Sequence, residues 1–87
     1  MNKTTRKTVE FTPHAEEKIT RLLKVGITKD KVIQTVLNPV KVFSGYFGRK
    51  IAQSDLSSEL VLRVVYEERN NKVVVISMYP GERRRYK

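Results

Sequence analysis

The stretch Glu59–Glu67, with the sequence ELVLRVVYE, decides the fold because its side chains follow the two-residue period of a β-strand. The stretch Lys72–Tyr79, KVVVISMY, contains the most apolar run of the chain and predicts a central strand. Between them, Asn70-Asn71 tolerates positive φ, which is typical of a hairpin turn. Together these segments predict an antiparallel hairpin inside a sheet.

Two further strands are predicted upstream of this hairpin. They are Val40–Tyr46 and Arg49–Ser54, which are separated by turn glycines. The polar segment Asp55–Ser58 then predicts a loop, and Pro80-Gly81 predicts the end of the last strand. The four strands are consecutive, so we expect them to form an antiparallel meander.

The first half of the chain predicts two amphipathic helices. Thr12 is a helix N-cap before Pro13, and Gly26 is a C-terminal glycine that ends the first helix. Thr28 caps the second helix, and Asn38-Pro39 stops it. The two apolar stripes consist of Ala15, Ile19, Leu22 and Leu23, and of Val32, Ile33, Val36 and Leu37.

The order of these elements predicts the α+β class. We expect a short N-terminal strand at Thr8–Thr12, two packed helices, and a four-stranded antiparallel sheet with the helices on one face. The chain has 87 residues, which is enough for one compact domain. We therefore expect a single domain over residues 8–87, preceded by a flexible basic leader, Met1–Lys7. The other sheet face is left open, and function is expected there.

The charge of the chain favours a polyanionic partner. Eighteen Lys and Arg residues against nine Asp and Glu residues give a net charge of +9. The excess is concentrated at two ends, with +3 over Met1–Lys7 and +5 over Arg69–Lys87. Such a distribution suits nucleic acid or an acidic protein. A solubilising surface with basic termini is an equally weighted alternative.

The composition also excludes several kinds of site. Without cysteine, the chain has no disulfide framework, thiol nucleophile or thiolate metal site. The single histidine, His14, excludes His-clustered metal sites. No apolar run is long enough to span a bilayer, and none follows the basic leader as a secretory signal requires. We expect a soluble, cytoplasmic domain with no cofactor, no metal and no membrane partner.

Arg63 is the candidate that the strand pattern singles out. Alternation places it with Val61 and Val65 on the open face of the sheet. A guanidinium among valines is well placed to grip a phosphate through two hydrogen bonds. The alternative is an ion pair with a neighbouring carboxylate such as Glu67.

Other cations could converge on the same face, because the meander brings strand ends together. Cleavage of RNA by its own 2′-hydroxyl requires a base, cations on the phosphate oxygens and an acid, but no metal. A lysine whose pKa is lowered by like-charged neighbours could be the base, and Tyr86 could stack a nucleobase or assist proton transfer. The converging residues would be Arg49, Lys50, Arg63, Arg83, Arg84, Arg85 and Tyr86. The alternative for the basic tail is a solvated charge run.

His14 is a further possible site residue, because a histidine titrates near neutral pH. It lies in the first turn of the predicted helix, opposite the apolar stripe. That position favours a capping or packing role over a catalytic one.

The sequence resembles those of the RelE/ParE toxin superfamily. The segments of the second half that carry the resemblance are Val61–Glu67, Lys72–Ser77 and the Arg-rich end with Tyr86. The front half is similar to the small uncharacterised and BrnT-like branches, through Phe11–Ala15, Gly26–Thr28 and Asn38-Pro39. The resemblance covers nearly the whole chain after the leader.

The resemblance implies a microbial ribonuclease-like fold with two helices and an antiparallel sheet. Members related to RelE cleave messenger RNA, often on the ribosome, and are held inactive by a cognate antitoxin. By position, the resemblance implies that Arg63 and Arg83 hold the scissile phosphate. It also implies that Tyr86 matches the late tyrosine of the family and that Arg49 or Lys50 lies in the basic strand before the catalytic one. We expect Tyr86 and Lys50 to complete the catalytic set. The nucleic-acid backbone would be tracked by Arg49, Arg84, Arg85 and Lys87.

The function expected from the sequence is therefore a toxin-like RNA-binding domain, a metal-independent endoribonuclease of messenger RNA. Its partners would be RNA or the ribosome and an acidic antitoxin. Two alternatives stay open. One is a non-catalytic nucleic-acid or protein-binding module of the same fold, and the other is a gyrase-directed ParE-like toxin.

Overall fold

A computed structural model describes residues 8–86, so the predicted leader Met1–Lys7 and Lys87 lie outside the described residues. Residues 8–86 form an α+β domain with two α-helices on one face of a five-stranded mixed sheet. The elements are β1 (Thr8–Phe11), α1 (Pro13–Leu22), α2 (Lys29–Leu37), β2 (Lys41–Ser44), β3 (Lys50–Asp55), β4 (Leu60–Arg69) and β5 (Lys72–Glu82). Three 3₁₀ turns lie at Leu23–Val25, Tyr46–Gly48 and Arg83–Arg85. Over the same residues, no helix has the length and apolar character needed to cross a membrane.

Local chemistry sets the helix ends, as predicted. The Thr12 hydroxyl accepts a hydrogen bond from the Ala15 amide at 3.1 Å and caps α1. The Thr28 hydroxyl accepts a hydrogen bond from the Lys31 amide at 3.1 Å and caps α2. Gly26, at φ +84°, adopts the left-handed conformation that ends the first helical segment. The predicted starts of both helices and the glycine stop are confirmed.

The sheet corrects the prediction of four antiparallel strands. Strands β2 to β5 do form an antiparallel meander, but β1 pairs in parallel with β5, from Thr8 opposite Lys72 to Phe11 opposite Val75. The strand order is β1-β5-β4-β3-β2, so β4 is the middle strand. The apolar run of β5 reflects its position between β1 and β4. The connection between the parallel strands β1 and β5 contains both helices and strands β2 to β4, which is much longer than the roughly twelve residues that parallel pairing requires.

Strand β5 also runs further than predicted. Pro80 and Gly81 do not end it, because they pair with Leu62 and Val61 of β4 and the strand continues to Glu82. Beyond Val75, β5 has no strand partner among residues 8–86 on the β1 side, since β1 is only four residues long. An edge position tolerates the missing N–H of a proline.

The core lies between the helices and one face of the sheet. Leu62, Val64 and Tyr66 of β4 point into it, as the alternation predicted. Each fully buried aliphatic side chain contributes roughly 1.5–3 kcal/mol. The other core residues are Ala15, Ile19, Ile27, Val32, Val36, Ala52, Val73, Val75 and Met78. Arg63, between Leu62 and Val64, therefore points to the opposite face.

Candidate functional site

Arg63 occupies the middle of β4 on the face away from the helices. Its register partners are Gln53 on β3 and Tyr79 on β5. The residue is only 7% exposed. Its Nε donates to the Tyr79 hydroxyl at 3.0 Å, and its Nη1 donates to Gln53 Oε1 at 2.6 Å. The two neighbouring strands thus fix the orientation of the guanidinium.

Aromatic rings surround the same guanidinium. Its Cζ atom lies 3.9 Å from the ring centre of Tyr86, 4.8 Å from that of Phe43 and 6.0 Å from that of Tyr79. A desolvated cation–π contact of this kind is worth about 2 kcal/mol. We call Arg63, Phe43, Gln53, Tyr79 and Tyr86 the arginine cluster. The cluster replaces water around the cation with oriented rings and neutral oxygens.

The positive charge of Arg63 is not balanced by a carboxylate. Among residues 8–86, no carboxylate oxygen lies within 4.0 Å of its guanidinium. The alternative partner, Glu67, instead binds Arg49 Nε at 3.0 Å and Arg69 Nη2 at 2.6 Å. The ion pair that would have made Arg63 a structural residue is therefore not formed.

One nitrogen of the Arg63 guanidinium, Nη2, remains available to a ligand. Its Nη2 donates to no described residue. However, no fully buried side-chain nitrogen of the described chain lacks a hydrogen-bond partner. It follows that Nη2 keeps contact with solvent. An acceptor oxygen arriving from outside could bind there.

The segment after β5 folds back over the arginine cluster. Gln53 Nε2 donates to the Tyr86 carbonyl oxygen at 3.2 Å. Gly81 makes room for the Tyr86 ring, because a Cβ atom on Gly81 would lie 2.5 Å from Tyr86 Cε2. Val61, opposite Gly81, is fully buried on this face. The face that was expected to be open is partly covered by Tyr86.

Arg83 anchors this returning segment to the loop between β3 and β4. Its backbone N–H donates to the Glu59 carbonyl at 2.8 Å. Its guanidinium binds Asp55 Oδ1 at 2.7 Å and the carbonyls of Ser58 and Ser57. All three guanidinium nitrogens are engaged within the chain. The structure thus gives Arg83 an anchoring role, whereas the resemblance implied a phosphate-binding one.

Lys50 does not share the face of Arg63. It pairs with Tyr66, whose ring lies in the core beneath the helices, so the lysine points to the helix side. Lys50 Nζ donates to Glu68 Oε1 at 2.7 Å, and this bond raises the pKa of Lys50 above its ordinary value. The predicted lysine base needed a lowered pKa. The structure corrects that expectation, because a carboxylate rather than another cation lies next to the amine.

The remaining predicted residues are spread over the surface. Arg49 lies at the end of the arginine-cluster face, bound to Glu67. Arg84 and Arg85 are exposed and make long contacts with Glu82, at 3.6 and 3.5 Å. His14 is exposed on α1. Lys87 lies outside the described residues.

Sequence reasoning missed three residues that the structure brings to Arg63 and a fourth that lies near the Tyr79 ring. Three are Phe43, Gln53 and Tyr79 of the arginine cluster. The fourth is Lys18 of α1, whose Nζ donates to Ser77 Oγ at 3.2 Å and lies 6.0 Å from the Tyr79 ring. Gln53 and Tyr79 are direct register partners of Arg63, so a correct strand register would have identified both.

Glu67 provides a pH-dependent prediction. Hydrogen bonds from Arg49 and then Arg69 lower its pKa below the ordinary value of 4.5. Its stabilising contribution is present above that value and is lost as the pH falls through the lowered folded-state pKa. We expect Glu67→Gln to flatten the fall in Tm on acidification from about pH 7 to about pH 2.

Thermal unfolding followed by circular dichroism would measure this effect. The matched control is Glu17→Gln, since Glu17 makes no ion pair with a described residue. It should reproduce the wild-type acid limb. A Glu67→Gln protein with an unchanged acid limb would contradict the prediction.

Residues 8–86 contain no group of three His, Cys, Asp or Glu side chains placed to hold a metal ion. The arrangement they do contain is a nearly buried guanidinium, oriented by neighbouring strands, with one nitrogen available to an anionic oxygen. Comparison of the chain with known proteins finds no matching family model, no matching curated protein and no matching solved structure.

Proposed function

We propose that the chain is a toxin-like RNA-binding domain of the toxin–antitoxin type, in which Arg63 holds a phosphodiester. The observation that carries the proposal is the buried guanidinium, which has no carboxylate partner in residues 8–86 and an unused Nη2. Burying an unbalanced charge costs several kcal/mol. A phosphate oxygen would supply both the missing counter-charge and the missing acceptor. The helix pair on one sheet face supports the RelE-like, microbial ribonuclease-like fold that belongs to this proposal.

We propose metal-independent cleavage of messenger RNA as the activity. The 2′-oxygen bonds to phosphorus while the bond to the 5′-oxygen of the next nucleotide breaks. The products are a 2′,3′-cyclic phosphate and a 5′-hydroxyl. Arg63 stabilises the charge that develops on the non-bridging oxygens. Tyr86, stacked on that guanidinium, relays the proton from the 2′-hydroxyl to the leaving oxygen.

The partners in this proposal are RNA or the ribosome and an acidic antitoxin, with action in the cytoplasm. The exposed arginines Arg84 and Arg85 support a polyanionic partner, because their contacts with Glu82 are long and solvent-exposed. An antitoxin with a carboxylate-rich segment would cover the same cations that meet the RNA backbone. Binding of the two partners would then be mutually exclusive.

A second candidate function is a non-catalytic nucleic-acid-binding module. The specific observation in its favour is Lys50, which is paired with Glu68 on the helix side and keeps its proton at neutral pH. Without a lysine base, the arginine cluster would bind a phosphodiester and leave it intact.

The deciding experiment incubates the purified protein with end-labelled single-stranded RNA in the presence of a chelator. We expect cleavage with 2′,3′-cyclic phosphate ends, and we expect a 2′-deoxy nucleotide at the scissile position to block it. Binding without cleavage, with a log–log salt slope of about 0.7 per phosphate contact, would select the non-catalytic module. Absence of RNA binding would overturn both, and inhibited DNA supercoiling would then favour the gyrase-directed alternative.

A further inference from the structure

The turn between β2 and β3 exposes two aromatic side chains. Tyr46 is 86% exposed and Phe47 is 92% exposed. Their ring centres lie 6.4 Å apart, with an angle of 51° between the ring planes. An exposed aromatic pair of this kind is typical of a binding surface, because the rings contribute little to the core.

The backbone of this turn is strained at the more exposed ring. Phe47 has φ 59° and ψ 37°, in the left-handed region that a bulky residue rarely adopts. Glycine or asparagine would fit the same position with less strain. Two backbone hydrogen bonds hold the turn, from Gly45 N–H to the Arg49 carbonyl at 2.8 Å and from Arg49 N–H to the Tyr46 carbonyl at 3.1 Å. Strained positions of this kind cluster at ligand-binding sites.

A concavity of about 530 Å³ lies beside the two rings. Arg49 lines it from the turn, and Ile51 and Val65 line it from the sheet. Ile51 is paired with Phe43, which contacts the Arg63 guanidinium. Val65 is one two-residue step from Arg63, about 7 Å along β4. The concavity therefore lies beside the arginine cluster on the same face of the sheet.

Charge complementarity favours a nucleic-acid occupant. Arg49 uses Nε to bind Glu67, and its two Nη groups donate to no described residue. A cation next to two exposed rings, on the same sheet face as an unbalanced guanidinium, is the combination that single-stranded nucleic acid requires. The rings meet the base faces, while the two guanidinium groups meet phosphates of the same strand.

We propose that Tyr46 and Phe47 stack unpaired bases of the RNA strand whose phosphate lies on Arg63. This inference rests on the proposed function and adds the class of substrate that the site selects. The bases of a duplex are already stacked on one another, so they are not free to stack on the rings of Tyr46 and Phe47. Aromatic faces accept every base, so the site selects single-stranded RNA with little sequence preference.

The test compares two oligonucleotides of about eight nucleotides, an RNA and its abasic ribose-phosphate analogue. The wild-type protein should bind the base-bearing strand more tightly. The Tyr46→Ala/Phe47→Asn double variant should lose roughly 5–100-fold in affinity for the RNA and keep its affinity for the abasic strand. Asparagine at position 47 tolerates the left-handed backbone, so the turn should persist.

The matched control is Val40→Ala, which removes an exposed apolar side chain just before β2 and should change neither affinity. Thermal unfolding should show that the double variant remains folded. Three results would overturn the stacking inference: no wild-type preference for bases, a preference that survives in the double variant, or equal loss of both affinities. A protein occupant of the concavity would give the second of these results.

Binding of the abasic strand distinguishes failure of the stacking inference from failure of the proposed function. In one outcome, Arg63→Met is the only variant that lowers affinity, with the abasic strand bound more weakly and the Tyr46→Ala/Phe47→Asn variant unchanged. That result would support phosphate binding by Arg63 and contradict base stacking by the two rings. If the wild-type protein binds neither strand, both fall together.

Discussion

Replacing Arg63 with methionine should abolish RNA cleavage and weaken RNA binding by roughly 10–100-fold, with little change in the free energy of unfolding. The loss of affinity follows from removal of charge-assisted hydrogen bonds to phosphate. Stability should change little because removal of an unbalanced buried charge offsets the lost cation–π contact with Tyr86 and the lost hydrogen bonds to Gln53 and Tyr79. Alanine is a poorer test here, since a side chain that is only 7% exposed would leave a cavity.

Two further variants make the Arg63 experiment specific. Arg63→Lys keeps the charge but removes the planar fork that binds Tyr79 and Gln53, so we expect partial binding and little cleavage. Arg69→Met is the matched control, because Arg69 lies on the same strand and its guanidinium is held by Glu67. It should leave both activities within about twofold. Wild-type cleavage by a folded Arg63→Met protein would contradict the assignment.

Substituting Gly81 with alanine should expel the Tyr86 ring from the arginine cluster. The added Cβ would lie 2.5 Å from Tyr86 Cε2, so the two cannot keep their present positions. The backbone of Gly81 is not left-handed, and its conformation suits alanine. The expected cost is therefore that of the lost ring contact, about 2 kcal/mol in the free energy of unfolding.

A double-mutant cycle with Tyr86→Ala tests that cause. In the Tyr86→Ala background, Gly81→Ala should be neutral or stabilising by about 0.5–1 kcal/mol, because alanine then meets no ring. Chemical denaturation would supply the four free energies. Additive costs would contradict the steric explanation and point to the strand itself.

Gly81→Ala and a further variant, Tyr86→Phe, separate two roles of Tyr86. Tyr86→Phe keeps the ring and should preserve stability, whereas cleavage should fall if the hydroxyl relays the proton. Gly81→Ala exposes the Arg63 guanidinium without removing any polar group. Comparing Tyr86→Phe with Gly81→Ala on one RNA substrate shows whether the Tyr86 ring only covers Arg63 or the Tyr86 hydroxyl takes part in cleavage.

Much of the fold follows from local chemistry and was therefore predictable. Thr12, Thr28 and Gly26 act within one turn of their own positions, so their roles can be read without tertiary information. The period of two in β4 similarly assigns Arg63 to the face opposite Leu62. The boundaries of β2 and β3 differ from prediction by one or two residues, which reflects the turn at Tyr46–Gly48.

The errors arise where partners are distant in sequence. Nothing within Thr8–Phe11 specifies that its neighbour is the start of β5, because parallel pairing of a four-residue strand leaves no local signal. Pro80 normally ends a strand, and only the absence of a β1 neighbour there allows β5 to continue.

The site shows the same division between local and distant information. Consecutive residues of a strand point to opposite faces, so only one of Arg49 and Lys50 can share the face of Arg63. The choice depends on the register of β3 against β4, which places Lys50 opposite Tyr66. The composition of the basic tail gave no indication that Arg83 would anchor it to a loop. That role depends on Asp55 and the Ser57 and Ser58 carbonyls.

The parallel pairing of β1 with β5 has a consequence for cotranslational folding. Strand β1 is made first, yet its partner, Lys72–Val75, follows all the other strands and both helices in synthesis. The nascent polypeptide must hold its earliest strand unpaired until that late segment leaves the exit tunnel. Tyr86 and its anchor Arg83 emerge later still, so a translating chain cannot complete the arginine cluster until residue 86 has left the tunnel.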